Sequence, residues 1–199
     1  MKPIRSDEQL IDTFLTGEKD DSETAFETLV KRHGPMVLGV CRQVLGQDQD
    51  AEDAFQATFF VLARKAGTVQ NRAILGYWLY EVAHRTALRA RARACRRRAI
   101  ERQAMEMSSS RDGSGDRDEL LSSSELRPVL HEEVVGLPEK YRIPVILAYL
   151  QGMTNREVAE VLNWPIGTVK GRLSRARDAL RARLSRRGLD SDAVRYRWG

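Results

Sequence analysis

Apolar residues recur at spacings of three and four along most of the chain, the signature of helices with one buried face. Leu10, Ile11, Phe14 and Leu15 form the first stripe. Ser6 with Gln9 three residues on makes a capping box before it, and Gly17 ends it. A second helix is expected from Asp21 or Ser22, with Ala25, Phe26, Leu29 and Val30 inward. His33-Gly34-Pro35 should kink or interrupt it, because proline lacks the amide donor a helix interior uses. Met36, Val37, Val40, Cys41, Val44 and Leu45 carry the apolar face on to Gly46. Residues 50–64 give a third helix with Phe55, Phe59 and Leu62 on one face, near Ala51 and Thr58. Its first turn holds Asp50, Glu52 and Asp53, which suit the positive end of the helix dipole. A loop over 66–75 leads to a helix over 76–89 that begins aromatic and turns basic.

After residue 107 the pattern stops. Ser108-Ser109-Ser110, Gly113-Ser114-Gly115 and Ser122-Ser123-Ser124 lie among mixed charges, the composition of a flexible tether. Helical spacing resumes over 127–136, and Leu137-Pro138-Glu139 opens a further helix in which Pro144 should introduce a bend. Thr154 and Glu157 then form a second capping box before Val158, Val161 and Leu162. Asn163-Trp164-Pro165 stops that helix and starts the last one. There Ile166, Val169, Leu173, Ala176 and Leu180 share a face. No strand alternation persists, so the expected fold is all-α: two small helical domains joined by a flexible linker, the C-terminal one a helix-turn-helix. The expected limits are 1–103, a linker over 104–126, 127–185, and a tail over 186–199 that carries no assigned role.

Charge changes the picture. The net charge is +5, and the basic residues are clustered, which matters more for a polyanionic partner. Eight arginines fall between Arg85 and Arg102. Beside Tyr77 and Trp78 they resemble a surface for unpaired bases, where rings stack and guanidinium groups hold the backbone. Trp78 is equally suited to a core. The polar face of the last helix carries Thr168, Lys170, Arg172, Ser174, Arg175 and Arg177. Arginine and lysine donate to guanine edges and phosphates, serine and threonine bond to either, and Gly171 admits a close backbone. A capped short helix, a proline turn and a basic helix together point to duplex DNA rather than to an ordinary solvated face.

Other chemistry finds no footing. Cys41 and Cys95 give neither a disulfide framework nor metal-ligand spacing, and His33, His84 and His131 are scattered. There is no nucleophile–base pair and no phosphate loop, so neither an enzyme nor a bound cofactor or metal is expected. The longest apolar run, 143–150, is too short to span a bilayer, and a cytoplasmic protein without membrane insertion follows.

Four segments in order resemble a known family: 50–59 (DAEDAFQATF), 78–83 (WLYEVA), 137–142 (LPEKYR) and 165–177 (PIGTVKGRLSRAR). They look like the small extracytoplasmic-function (ECF) sigma factors of the sigma-70 family of bacterial RNA polymerase. The resemblance implies that Asp50, Asp53, Gln56 and Phe59 dock on core RNA polymerase. By pattern alone that polar strip is an ordinary exposed face. It implies that Asn71, Arg72, Tyr77, Trp78, Arg85 and Arg89 open and hold the minus-ten element. Thr154, Asn155 and Arg156 would join Thr168, Lys170, Gly171, Arg172, Ser174, Arg175 and Arg177 on the minus-thirty-five element. The implied partners are core RNA polymerase, promoter DNA and an anti-sigma factor. The family often has an acid where Ala57 stands and Asn where Arg85 stands. A free-standing helix-turn-helix regulator and an RNA-binding adaptor are the rival readings. The first leaves the aromatic–basic helix unexplained, and the second leaves the recognition helix without a task.

Overall fold

The computed structural model describes residues 5–108 and 126–188. Among these residues the chain forms eight α-helices and no strand: α1 (Asp7–Thr16), α2 (Lys19–Leu45), α3 (Asp48–Lys65), α4 (Leu75–Ser108), α5 (Leu126–Val135), α6 (Glu139–Val145), α7 (Asn155–Leu162) and α8 (Ile166–Arg186). The heart of the expected tether, 109–125, lies outside the described residues, as does the tail from 189. Where the tether was expected to begin, α4 continues as helix to Ser108. No described helix is long and apolar enough to cross a membrane.

In the first lobe α2 is the hub and packs on α1, α3 and α4. Leu29, Val37, Val40 and Cys41 meet Leu10, Ile11, Leu62 and Leu79 in one core. Burial pushes the Cys41 thiol up to about 12, so this cysteine is an inert small side chain. The Ser6–Gln9 capping box forms as expected. Beside it Asp7 holds both Arg32, at 2.5 Å, and His33, at 2.9 Å, which fastens α1 to α2. Burial opposes ionisation of Asp7, yet these two partners hold its carboxyl below the usual aspartate value.

Two expectations for α2 need correction. It starts at Lys19 rather than at 21 or 22, since Asp20 and Asp21 both suit a first turn. It also runs through Pro35 without interruption. Lys31, whose carbonyl loses its amide partner, and Pro35 itself are both exposed, on the side of α2 where a proline is tolerated best.

In the second lobe α8 packs on α5, α6 and α7. Pro144 does not break its helix. The backbone widens after it into a π-turn at Ile146–Leu150, which the Gln151 N–H closes on the Ile146 carbonyl at 3.2 Å. The Thr154–Glu157 capping box forms, and its hydrogen bonds hold the Glu157 carboxyl below the usual range. Asn163 ends α7 in the left-handed region (φ 52°, ψ 45°), a conformation asparagine tolerates. Ile166 was expected in the core but is 46% exposed; Val169, Leu173, Ala176, Leu180 and Leu184 supply the buried face instead. Residue 166 is the first of α8, a turn before the buried stripe becomes continuous. At the far end Arg187 reaches Glu132 and Glu133 at 3.1 and 2.8 Å, tying α8 back to α5.

The lobes touch along α4. The Tyr80 hydroxyl lies 2.9 Å from His131 Nδ1, both residues buried. Arg142 on α6 donates to the Tyr77 hydroxyl at 3.0 and 3.3 Å and sits 3.2 Å from the Glu81 carboxylate. Gly76 allows this approach: any Cβ there would run into the Gln151 side-chain amide.

Candidate nucleic-acid and polymerase interfaces

The recognition element is built from the turn outward. Trp164 N–H donates to the Ala159 carbonyl at 2.9 Å, and Pro165 then opens α8. From that start Lys170, Ser174 and Arg175 are exposed, while Thr168, Gly171, Arg172 and Arg177 are half-buried. Arg172 stacks on the Trp164 ring, its guanidinium carbon 3.8 Å from the ring centre. Arg177 donates to the Tyr149 hydroxyl at 3.4 Å, which turns it toward the lobe's own body. A Cβ on Gly171 would meet nothing within 4 Å, so the chain's own packing does not demand glycine there. On α7, Thr154 is occupied by its cap, Asn155 is half-buried, and exposed Arg156 pairs with Glu160 at 3.1 Å.

The residues expected at the minus-ten element are spread over one side of α4 and the turn before it. Asn71 is exposed, and Arg72 is paired with Asp12 of α1. Tyr77 and Trp78 are half-buried and pack against the core. Burial raises the Tyr77 hydroxyl above its ordinary value, while the bond from Arg142 pulls the other way. Arg85 and Arg89 are exposed further along the helix. Of this set Tyr77 is held by the second lobe, whereas Asn71, Arg85 and Arg89 face outward.

On α3, Asp53 and Gln56 are exposed and Asp50 is half-buried. Phe59 does not join them. It is 5% exposed, meets Phe55 at 5.0 Å, and takes the Phe26 ring edge-on at 6.3 Å. The outward aromatic is its neighbour Phe60, 69% exposed and in helical register with Asp53 and Gln56. Helical period sets Phe59 with Phe55 and Leu62 and Phe60 with Asp53 and Gln56, so it was the resemblance, not the spacing, that put Phe59 on the docking strip. A groove of about 730 Å³ lies between α3 and α4, with Asp50 and Asp53 on one wall and Arg89, Arg93, Arg96 and Arg97 on the other. Sequence reasoning also missed Arg142 and His131, since nothing local to either marks a contact across the lobes.

Comparison with known proteins follows the same division. Residues 29–98 match the family described as Sigma-70 region 2, and residues 129–180 match Sigma-70, region 4. Together these take in more than half of the chain. The chain is 27% identical over 180 residues to the RNA polymerase sigma-H factor of Pseudomonas aeruginosa, covering 87% of this chain and 91% of that one. It is 28% identical over 184 residues to the ECF RNA polymerase sigma factor SigW of Bacillus subtilis, covering 89% and 98%. Among solved structures it is similar to CnrH, determined in complex with the cytosolic domain of CnrY, at 22% identity and a TM-score of 0.44, covering 91% of this chain and 98% of that one. The chain is an RNA polymerase sigma factor, a member of the ECF group of the sigma-70 family.

Proposed function

We propose that the two lobes divide the work of an ECF sigma factor between duplex and opened promoter DNA. The second lobe, within 127–185, reads the minus-thirty-five element through α8. The observation that carries this is the exposed Lys170–Ser174–Arg175 face, set at a fixed angle by the capped α7 and the left-handed turn at Asn163. Lys170 and Arg175 have no ion-pair partner among the described residues, so their donors remain for phosphates and base edges.

The first lobe, within 1–103, holds the minus-ten element. Arg85 and Arg89 supply cationic contacts, and Tyr77 and Trp78 supply ring surface for an unstacked base. Tyr77 becomes available only when Arg142 lets go of it, so engagement with opened DNA requires the lobes to part along α4. Asp50, Asp53 and Gln56 form the docking stripe for core polymerase, with Phe60 in the place sequence reasoning gave to Phe59. The chain supplies an address and binding energy rather than chemistry, which polymerase performs. It acts in the cytoplasm, where polymerase and chromosome meet, under an anti-sigma factor that holds it from them.

Run-off transcription tests this reading. Full-length chain, core RNA polymerase and the upstream region of the chain's own gene should give a discrete transcript that neither component gives alone. If the purified chain never associates with core enzyme, the reading is lost. A stable dimer protecting a palindrome without polymerase would replace it with a free-standing regulator.

A further inference from the structure

Trp164 lies outside the recognition helix, in the turn that a helix-turn-helix uses only to change direction. Its backbone is fixed by the bond to the Ala159 carbonyl and by the left-handed Asn163 before it. Its ring is half-buried against the core of the second lobe and so does not swing freely. Arg172, two turns into α8, lays its guanidinium over that ring at 3.8 Å from the centre. Stacking covers the flat face of a guanidinium and leaves its N–H groups pointing outward in the plane. Among the described residues Arg172 makes no hydrogen bond or ion pair, so none of those donors is taken up by them.

We infer that Trp164 is a positioning residue for promoter recognition: it clamps the Arg172 guanidinium in one orientation, with its donor edge presented to the DNA beside α8. This rests on the reading of α8 as the promoter-facing helix and adds to it a specific device. An unclamped arginine must give up rotamer freedom on binding, and a stacked one has already done so. A lysine has no planar face to stack and only a point charge to offer, so this position is specific for arginine. The same ring also explains why Arg172 is half-buried when its neighbours Lys170, Ser174 and Arg175 are exposed.

The test uses full-length chain bound to core RNA polymerase. The probe is a labelled duplex selected from a randomised pool by the wild-type holoenzyme, together with its single-base variants. Trp164→Leu should weaken binding about three- to tenfold, the range an exposed to partly desolvated cation–π contact supports. Trp164→Phe keeps an aromatic face and should recover most of that loss. In an Arg172→Ala background, Trp164→Leu should cost nothing further. Arg172→Lys should behave like Arg172→Ala in its loss of discrimination among single-base variants.

Equal losses from Trp164→Leu with and without Arg172 would show a merely structural tryptophan and overturn the inference. Failure of Trp164→Phe to bind better than Trp164→Leu, with both variants melting at the same temperature, would do the same. The reading beneath it fails differently. If Lys170→Ala and Arg175→Ala also leave binding unchanged, α8 does not face the promoter at all. If those two weaken binding and Arg172→Ala does not, α8 stands and the clamp falls.

Discussion

Replacing Arg142 by Met keeps most of the side chain's length and removes its charge. Arg142 donates to the Tyr77 hydroxyl across the lobes, and within its own lobe to the Val135 and Leu137 carbonyls at the end of α5. It also pairs with Glu81, the two side chains being 19% and 22% exposed. A hydrogen bond from a charged donor contributes about 1.5–3 kcal/mol net. Breaking a fully buried ion pair costs about 3–5 kcal/mol, mostly by stranding the remaining charge. Here both groups keep some contact with water, so the expected total is about 2–4 kcal/mol. Part of that loss belongs to the second lobe alone, through the carbonyls of α5.

A double-mutant cycle isolates the contact between lobes. Tyr77→Phe removes only the hydroxyl, and Glu81→Gln only the charge. Each should show a coupling with Arg142→Met of about 0.5–2 kcal/mol, measured by urea unfolding of the full chain. Trp78 and Trp164 report from different lobes and should shift together in the wild type. Amide exchange in the first turns of α4 should speed up in Arg142→Met, because those turns lose their cover. Couplings below about 0.3 kcal/mol for both partners would mean that Arg142 does not hold α4 in solution, and the requirement that the lobes part before Tyr77 meets DNA would go with it.

Gly171→Ala should stabilise the chain by roughly 0.5–1 kcal/mol in thermal melts, since a Cβ there meets nothing and helical alanine loses less entropy than glycine; a destabilised variant would reveal a packing role not seen in α8. Phe60→Ser should leave the melting temperature within a degree or two while weakening core association in a pull-down, because this ring is 69% exposed; Phe59→Ser should instead unfold the first lobe. Arg175→Ala should lower promoter affinity by about 1–3 kcal/mol if it reads a base edge, and a loss equal on every sequence would mark a phosphate contact. His84 is buried beside Tyr80, and desolvation with the Arg85 charge lowers its pKa despite Glu81 and Glu132. The unfolded chain then takes the proton first, so this contribution to stability is complete above 6.5 and is lost as pH falls through the folded value. His84→Gln should flatten that part of the wild-type pH profile, and an unchanged slope would remove His84 as its source.

What the sequence disclosed and what it withheld divide along the range of the interactions. Capping boxes at Ser6 and Thr154 depend on residues three apart, and both are legible from spacing alone. The basic face of α8 follows from helical period alone. Contacts between residues far apart in the chain leave no such trace: Tyr80 with His131 and Tyr77 with Arg142 are separated by 51 and 65 positions. Phe59 shows a different limit. Its spacing sets it with Phe55 and Leu62, and its packing against Phe26 of another helix keeps it on that face rather than on the docking strip that the resemblance implied. Pro35 fails for another reason. Its effect depends on whether the carbonyl it orphans faces water, and that is settled by which side of α2 the other helices cover.

The inter-lobe contact and the clamp on Arg172 bear on each other. Each fixes in the free chain a group that the proposed function assigns to DNA, but with opposite effect. Arg142 donates to the Tyr77 hydroxyl and lies over its ring, so this contact must break before the ring is free for a base. Trp164 takes Arg172 by its face and leaves the donors out. The duplex-reading half is therefore ready before polymerase binds, and the bubble-reading half is not. That order suits initiation, since upstream duplex must be found before any strand is separated. It also predicts how the variants differ: Arg142→Met should speed capture of pre-opened promoter while leaving duplex affinity as it is, and Trp164→Leu should do the reverse. If both variants change the two affinities in parallel, the lobes respond as one body and the proposed division of labour is wrong.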